Sequence, residues 1–157
     1  MIIAKTIGTV PKGETVVVSY FANTCMIGFD RIQGYADINY IELGESIEPE
    51  NFIFGIRIIH EGSKKSFAAR NAQDLMYRTM DPEGNFYLDG DPKEVITGKW
   101  DERSADAFER LMKDTIADQG LTVPKGTDLR RIYNPTRHIL YRLYSNSGFD
   151  LLGDDTR

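Results

Sequence analysis

The residues with the most chemistry to offer crowd into one run. Leu129 to Tyr144 reads LRRIYNPTRHILYRLY, with four arginines, one of the chain's two histidines, three tyrosines and no acid. The whole chain carries −5 at neutral pH, so setting aside this run's +4 leaves −9 on the remainder. A cationic island on an anionic body is where a phosphate, a nucleic acid or an acidic protein surface lands. Guanidinium forks hold phosphate bidentately, and tyrosine rings give bases a face to stack on. Arg130, Arg131, Tyr133, Arg137, His138, Tyr141 and Arg142 are therefore the candidate ligand-binding residues.

Asn134-Pro135 divides the run. An asparagine N-cap followed by proline at the first helical position predicts a helix start there. Ile139, Leu140, Leu143 and Tyr144 then face a core, with Arg137 and Tyr141 on one flank and His138 and Arg142 on the other. Arg130, Arg131 and Tyr133 lie on the approach, where free backbone N–H groups and the positive helix end favour an anion. The competing reading spends the arginines on the chain's surplus acids, with their stems laid over apolar surface. A strand over 137–144 is the alternative backbone assignment.

Two histidines permit an enzymatic alternative. His60-Glu61-Gly62-Ser63 falls where an extended run gives way to a loop, a common location for catalytic side chains. His60 and His138, one as base and one as acid, suit metal-independent cleavage of a phosphodiester, as in a ribonuclease. Arg130 or Arg131 would stabilise the charge, and Glu61 can replace one histidine as base. This scheme requires the histidines to converge. A third alternative is an acidic interaction module or inhibitor that meets a basic partner through Glu42, Glu45, Glu48 and Glu50.

Other familiar chemistry is missing. Asp81-Pro82-Glu83-Gly84 and Asp89-Gly90-Asp91 lack the alternation of a calcium loop and read as turns. No phosphate-binding loop, dinucleotide fingerprint or Gly-x-Ser-x-Gly elbow is present, so no cofactor and no metal is called for. Cys25 is the only cysteine, which excludes an internal disulfide and suits a reducing, cytoplasmic setting. It reads as a buried core thiol, and Trp100 as a pin at a helix entrance.

The elements that must position these residues predict an α+β fold. An N-terminal antiparallel β-sheet of about four or five strands is covered on one face by two or three C-terminal helices. Strands are expected at Ile2-Ile3-Ala4, over 14–22, 25–32 and 35–43 with Gly34 and Gly44 as breakers, and over 51–60, where apolar residues alternate. A short strand is expected near 85–88. Apolar residues then recur at helical spacing near 65–80, 103–119 and 135–146, with Ser63 or Ser66 and Asp101 or Ser104 as caps. Gly120 sits where a helix-closing glycine belongs. Thr9-Val10-Pro11-Lys12-Gly13 recurs as Thr122-Val123-Pro124-Lys125-Gly126, which reads as one turn solution used twice.

At 157 residues, 41% of them hydrophobic, the chain can bury a core and is sized for a single domain over 1–157, with 153–157 as a frayed tail. No apolar run is long enough for a membrane helix. The leading expectation is a small soluble binding protein. It recognises a phosphorylated ligand (a nucleotide or nucleic acid) or a macromolecular partner through the basic, aromatic segment, and nothing in the residues requires catalysis.

Overall fold

Runs of β-branched and aromatic residues shape the first part of the chain, and helical periodicity shapes the rest. The computed structural model describes residues 10–14, 16–21, 24–29, 32–35, 49–149 and 151. The chain divides into two units, Met1–Ile47 and Glu48–Arg157. In the first, β1 (Val17–Phe21), β2 (Thr24–Phe29) and β3 (Ile32–Tyr35) form an antiparallel meander in the order β1-β2-β3. Register runs from Val17 opposite Gly28 to Phe21 opposite Thr24, then from Met26 opposite Tyr35 to Phe29 opposite Ile32.

The second unit carries five helices: α1 (Pro49–Phe54), α2 (Phe67–Arg78), α3 (Pro92–Val95), α4 (Glu102–Gln119) and α5 (Asn134–Ser147). Capping sets where the long ones start. Ser66 accepts from the Ala69 N–H at 3.2 Å, and Asp101 from the Ser104 N–H at 2.8 Å, each relieving an orphan donor of the first turn. Gly120 closes α4 in left-handed backbone, as expected. The apolar stripes meet in one core containing Phe54, Ala72, Leu75 and Met76, Phe108, Leu111 and Met112, Ile132 and Leu140. Full burial of each large side chain contributes about 1.5–3 kcal/mol before entropy is counted. Trp100 meets Phe108 edge-on at 5.3 Å, and Phe54 meets Tyr144 edge-on at 6.0 Å.

The α+β expectation is overturned. Among the described residues the chain is mostly helical, and the helical core is drawn from positions 53 to 151, so the helices bury their stripes on one another. The strand expected over 51–60 is instead α1 and the turn after it. Pro49 and Glu50 open this helix and Gly55, at φ 69°, ends it, leaving Ile56 and Ile58 exposed. The strand expected over 25–32 is broken into β2 and the first residue of β3, and Gly34, expected to break a strand, lies inside β3. Near 85–88 a lone bridge joins Met80 to Phe86 in place of a strand. The turn expected at Asp91-Pro92 opens α3, with Asp91 accepting from the Lys93 N–H at 2.9 Å. Of the strand expected over 35–43 only Tyr35, the last residue of β3, is described, and the strand expected at 2–4, the tail at 153–157, and Glu42, Glu45 and Glu48 lie outside the described residues, as does the side chain of Cys25.

One buried amide fixes the approach to α4. Gln73 Oε1 accepts from the N–H groups of Thr97 and Gly98 at 3.0 and 2.7 Å, and its Nε2 donates to the Lys99 carbonyl at 2.7 Å and Ser104 Oγ at 2.9 Å. All four hydrogen-bonding capacities of the side chain are used, which makes a fully buried amide tolerable. The repeated pentapeptide behaves as expected. Glu14 N–H bonds the Pro11 carbonyl at 3.2 Å, Thr127 N–H bonds that of Pro124 at 3.1 Å, and Gly13 and Gly126 take φ of 87° and 82°.

Candidate functional site

A single two-residue bridge brings distant chemistry together. Ile59 and Ile132 exchange both backbone hydrogen bonds at 2.9 Å, which sets His60 and Glu61 beside Arg130 and Arg131. Trp100 donates its indole N–H to the Arg130 carbonyl at 2.9 Å and holds the second strand of that bridge against the core. His60, Glu61, Asp128, Arg130 and Arg131 line an open cleft of about 440 Å³.

The cations in this cleft are already engaged. Arg130 donates to Asp106 at 2.5 Å and to Glu61 at 2.8 Å, and these two carboxylates hold its guanidinium above its usual range. Arg131 donates to Asp128 at 3.0 Å and stacks over the Tyr133 ring at 5.4 Å. The Arg130 backbone N–H and then the Arg131 side chain draw the Asp128 carboxyl below its ordinary value. Tyr133 accepts from the Asp128 N–H at 2.8 Å through its hydroxyl, so ring and oxygen both serve the turn. Three carboxylates thus answer two guanidinium groups. An incoming phosphate must displace acids that are bonded to the same nitrogens.

The helix start differs by one residue from the expected one. Tyr133 is the N-cap, and Asn134 is the first residue of α5. Thr136 Oγ1 accepts from the Tyr133 N–H at 3.1 Å and donates to the Arg131 carbonyl at 2.7 Å. Asn134 Oδ1 accepts from Arg137 at 2.9 Å.

Arg137 is not presented to a ligand. It is 2% exposed and donates to Asn134 and to the Arg57 carbonyl at 2.7 Å, while its Nε has no partner among the described residues. Burial lowers its pKa, against the pull of the nearby Glu50 carboxylate. Tyr141 is half-buried, with its ring 5.9 Å from that of Tyr144.

His138 and Arg142 face a different cleft. Leu121, Thr122, Val123 and Pro124 form one wall, Asn134, Pro135, His138, Ile139 and Arg142 the other, around about 440 Å³. His138 Nδ1 lies against the Glu50 carboxylate, tying α5 to α1. Arg142 is exposed and has no ion-pair partner among the described residues. His60, whose Nδ1 meets the Glu61 carbonyl at 2.7 Å, remains in the first cleft, so the two histidines are not brought into one site.

The sequence reading missed Leu121, Thr122, Val123, Pro124, Asn134, Pro135 and Ile139 as lining residues of the cleft that holds His138 and Arg142, and Asp128 in the other. The available signal was the second copy of the turn pentapeptide, which places a short extended stretch just before the basic run. Among the described residues no group of three or more His, Cys, Asp or Glu is placed to hold a metal ion, and no helix is long and apolar enough to cross a membrane. No family model, curated protein or solved structure matches the chain.

Proposed function

We propose that the chain is a binding protein, working in the cytoplasm, that recognises a protein partner through the outer side of α5 and the groove beside it. The reading is carried by how the four arginines of the basic run are spent. Arg130 and Arg131 are in ion pairs, Arg137 is buried, and Arg142 alone is exposed and in no ion pair among the described residues. A nucleic acid draws its affinity from several free cations set along a backbone. One free arginine beside apolar Leu121, Val123, Pro135 and Ile139 suits a mixed apolar and acidic protein surface better.

Peptide display against the purified chain tests the reading. Binders are expected whose affinity falls about tenfold or more with Arg142→Glu and holds with Arg130→Ala. An empty selection, or binders indifferent to Arg142→Glu, overturns it. So does tight, salt-sensitive binding of a single-stranded oligonucleotide that survives the same substitution.

A further inference from the structure

We infer that this groove takes its partner as an extended segment, added as a strand along Thr122 and Val123 with one carboxylate side chain on Arg142. The inference rests on the protein-binding reading above and names the shape and charge of what binds.

The backbone of the groove wall supplies the first observation. Leu121 N–H is bonded to the Ile116 carbonyl at 3.0 Å, and the Pro124 carbonyl accepts from Thr127 at 3.1 Å. Between those anchors, the N–H and C=O groups of Thr122 and Val123 have no hydrogen-bond partner among the described residues. The stretch is neither helix nor turn, and both its ends are tied. A short edge with free donors and acceptors is what an added strand pairs with. Leu121 and Val123 are half-buried and Thr122 between them is exposed, the alternation that an extended backbone produces. An added strand therefore gains apolar contact with the groove as well as backbone bonds.

Charge supplies the second observation. Arg142 lies on the facing wall and offers a planar fork that fits a carboxylate. The same wall holds His138, with the Glu50 carboxylate against it. A phosphate dianion feels about twice the repulsion from Glu50 that a carboxylate does, and finds one arginine where phosphate sites gather several donors. A glutamate or aspartate flanked by β-branched residues is the matching ligand.

The test uses the full chain, labelled with ¹⁵N, and the peptide acetyl-Thr-Val-Glu-Val-Ser-amide. Shifts are expected at the Thr122 and Val123 amides and at the Arg142 Nε–H. Replacing the peptide's glutamate by glutamine is expected to weaken binding about tenfold. N-methylation is applied to both valines in one variant and to the glutamate and serine in another, which blocks the two edges in turn. One variant is expected to lose about tenfold and the other to bind nearly as well. Equal binding by all three peptides overturns the strand geometry. Equal binding of the glutamine peptide, or tighter binding with phosphoserine in place of glutamate, overturns the carboxylate. Absent shifts in the groove overturn both. If display yields binders dependent on Arg142 whose edge-blocked forms bind unchanged, the strand inference falls and the protein-binding reading stands. If display yields none, the binding reading itself has failed.

Discussion

Arg137 reaches the carbonyl of Arg57 at 2.7 Å, across 80 residues of sequence, and ties α5 to the loop that follows α1. Its guanidinium is almost wholly removed from water and has no ion-pair partner among the described residues. A desolvated cation held by two neutral oxygens adds little net stability, because its solvation cost offsets much of what the bonds contribute, while its removal leaves those oxygens without a donor. Arg137→Ala strands the Arg57 carbonyl and leaves a void. The expected loss is about 2–4 kcal/mol, with a smaller loss in Arg137→Met, which fills the volume without the charge. Urea unfolding of the two variants checks the order.

Gln73 and Gly98 form a second joint. Gln73→Leu keeps the bulk but strands the Thr97 and Gly98 N–H groups and leaves the Lys99 carbonyl only the Thr97 hydroxyl at 3.4 Å, and about 2–4 kcal/mol is expected to go. Gly98 sits at φ 82°, and a Cβ there would come within 3.0 Å of Lys65 Cγ and 3.1 Å of the Ser66 carbonyl oxygen. Gly98→Ala is expected to destabilise by about 1–3 kcal/mol, through backbone strain and the clash with that fixed oxygen. Thermal unfolding of each variant is the measurement.

The arginines of the basic run should separate in a binding experiment. Arg130→Ala/Arg131→Ala is expected to leave affinity for the groove peptide within about twofold, because both side chains answer local acids. Arg142→Ala is expected to cost about tenfold. Calorimetric titration of the two variants at one salt concentration decides the matter, and a large loss in the double variant would return the binding site to the Arg130 cleft.

Alkaline stability should depend in part on the Tyr87 phenol. Tyr87 is buried and donates to Asp114 at 2.7 Å, and burial followed by that bond raises its pKa above the ordinary 10.0. The folded chain then keeps a proton that the unfolded chain gives up. The contribution is fully present below pH 10.0 and declines as pH rises past it toward the raised folded value. Tyr87→Phe is expected to be less stable at neutral pH, by about 1 kcal/mol, and to show a shallower alkaline slope. Urea midpoints measured from pH 8 upward give the comparison.

The long helices were legible because their signals are local. Ser66, Asp101 and Gly120 mark ends within one turn of the residues they serve, and the stripes of α2, α4 and α5 repeat at a fixed spacing. The 51–60 region misleads for a physical reason. Phenylalanine and isoleucine suit a strand by type, but six residues from Pro49 coil against the core and Gly55 reverses the chain, so alternation across that break is accidental. Pro49 and Glu50 at the helix start were the overlooked cue. The site was half legible. Composition located the basic run, but Glu61 lies 69 residues from Arg130 and Asp106 lies 24, and a charge tally cannot place such acids. The apolar wall of the groove carries no charge signature at all.

The indole of Trp100, the chain's single tryptophan, is buried against Phe108 and bonded to the backbone of Arg130. All indole emission therefore arises from one position, bonded to the backbone of a residue that lines the Arg130 cleft. Loosening of the Arg130 segment should shift that emission to the red before the helices melt, while docking in the groove along α5 should leave it unchanged. The protein thus contains its own optical gauge for telling its two clefts apart.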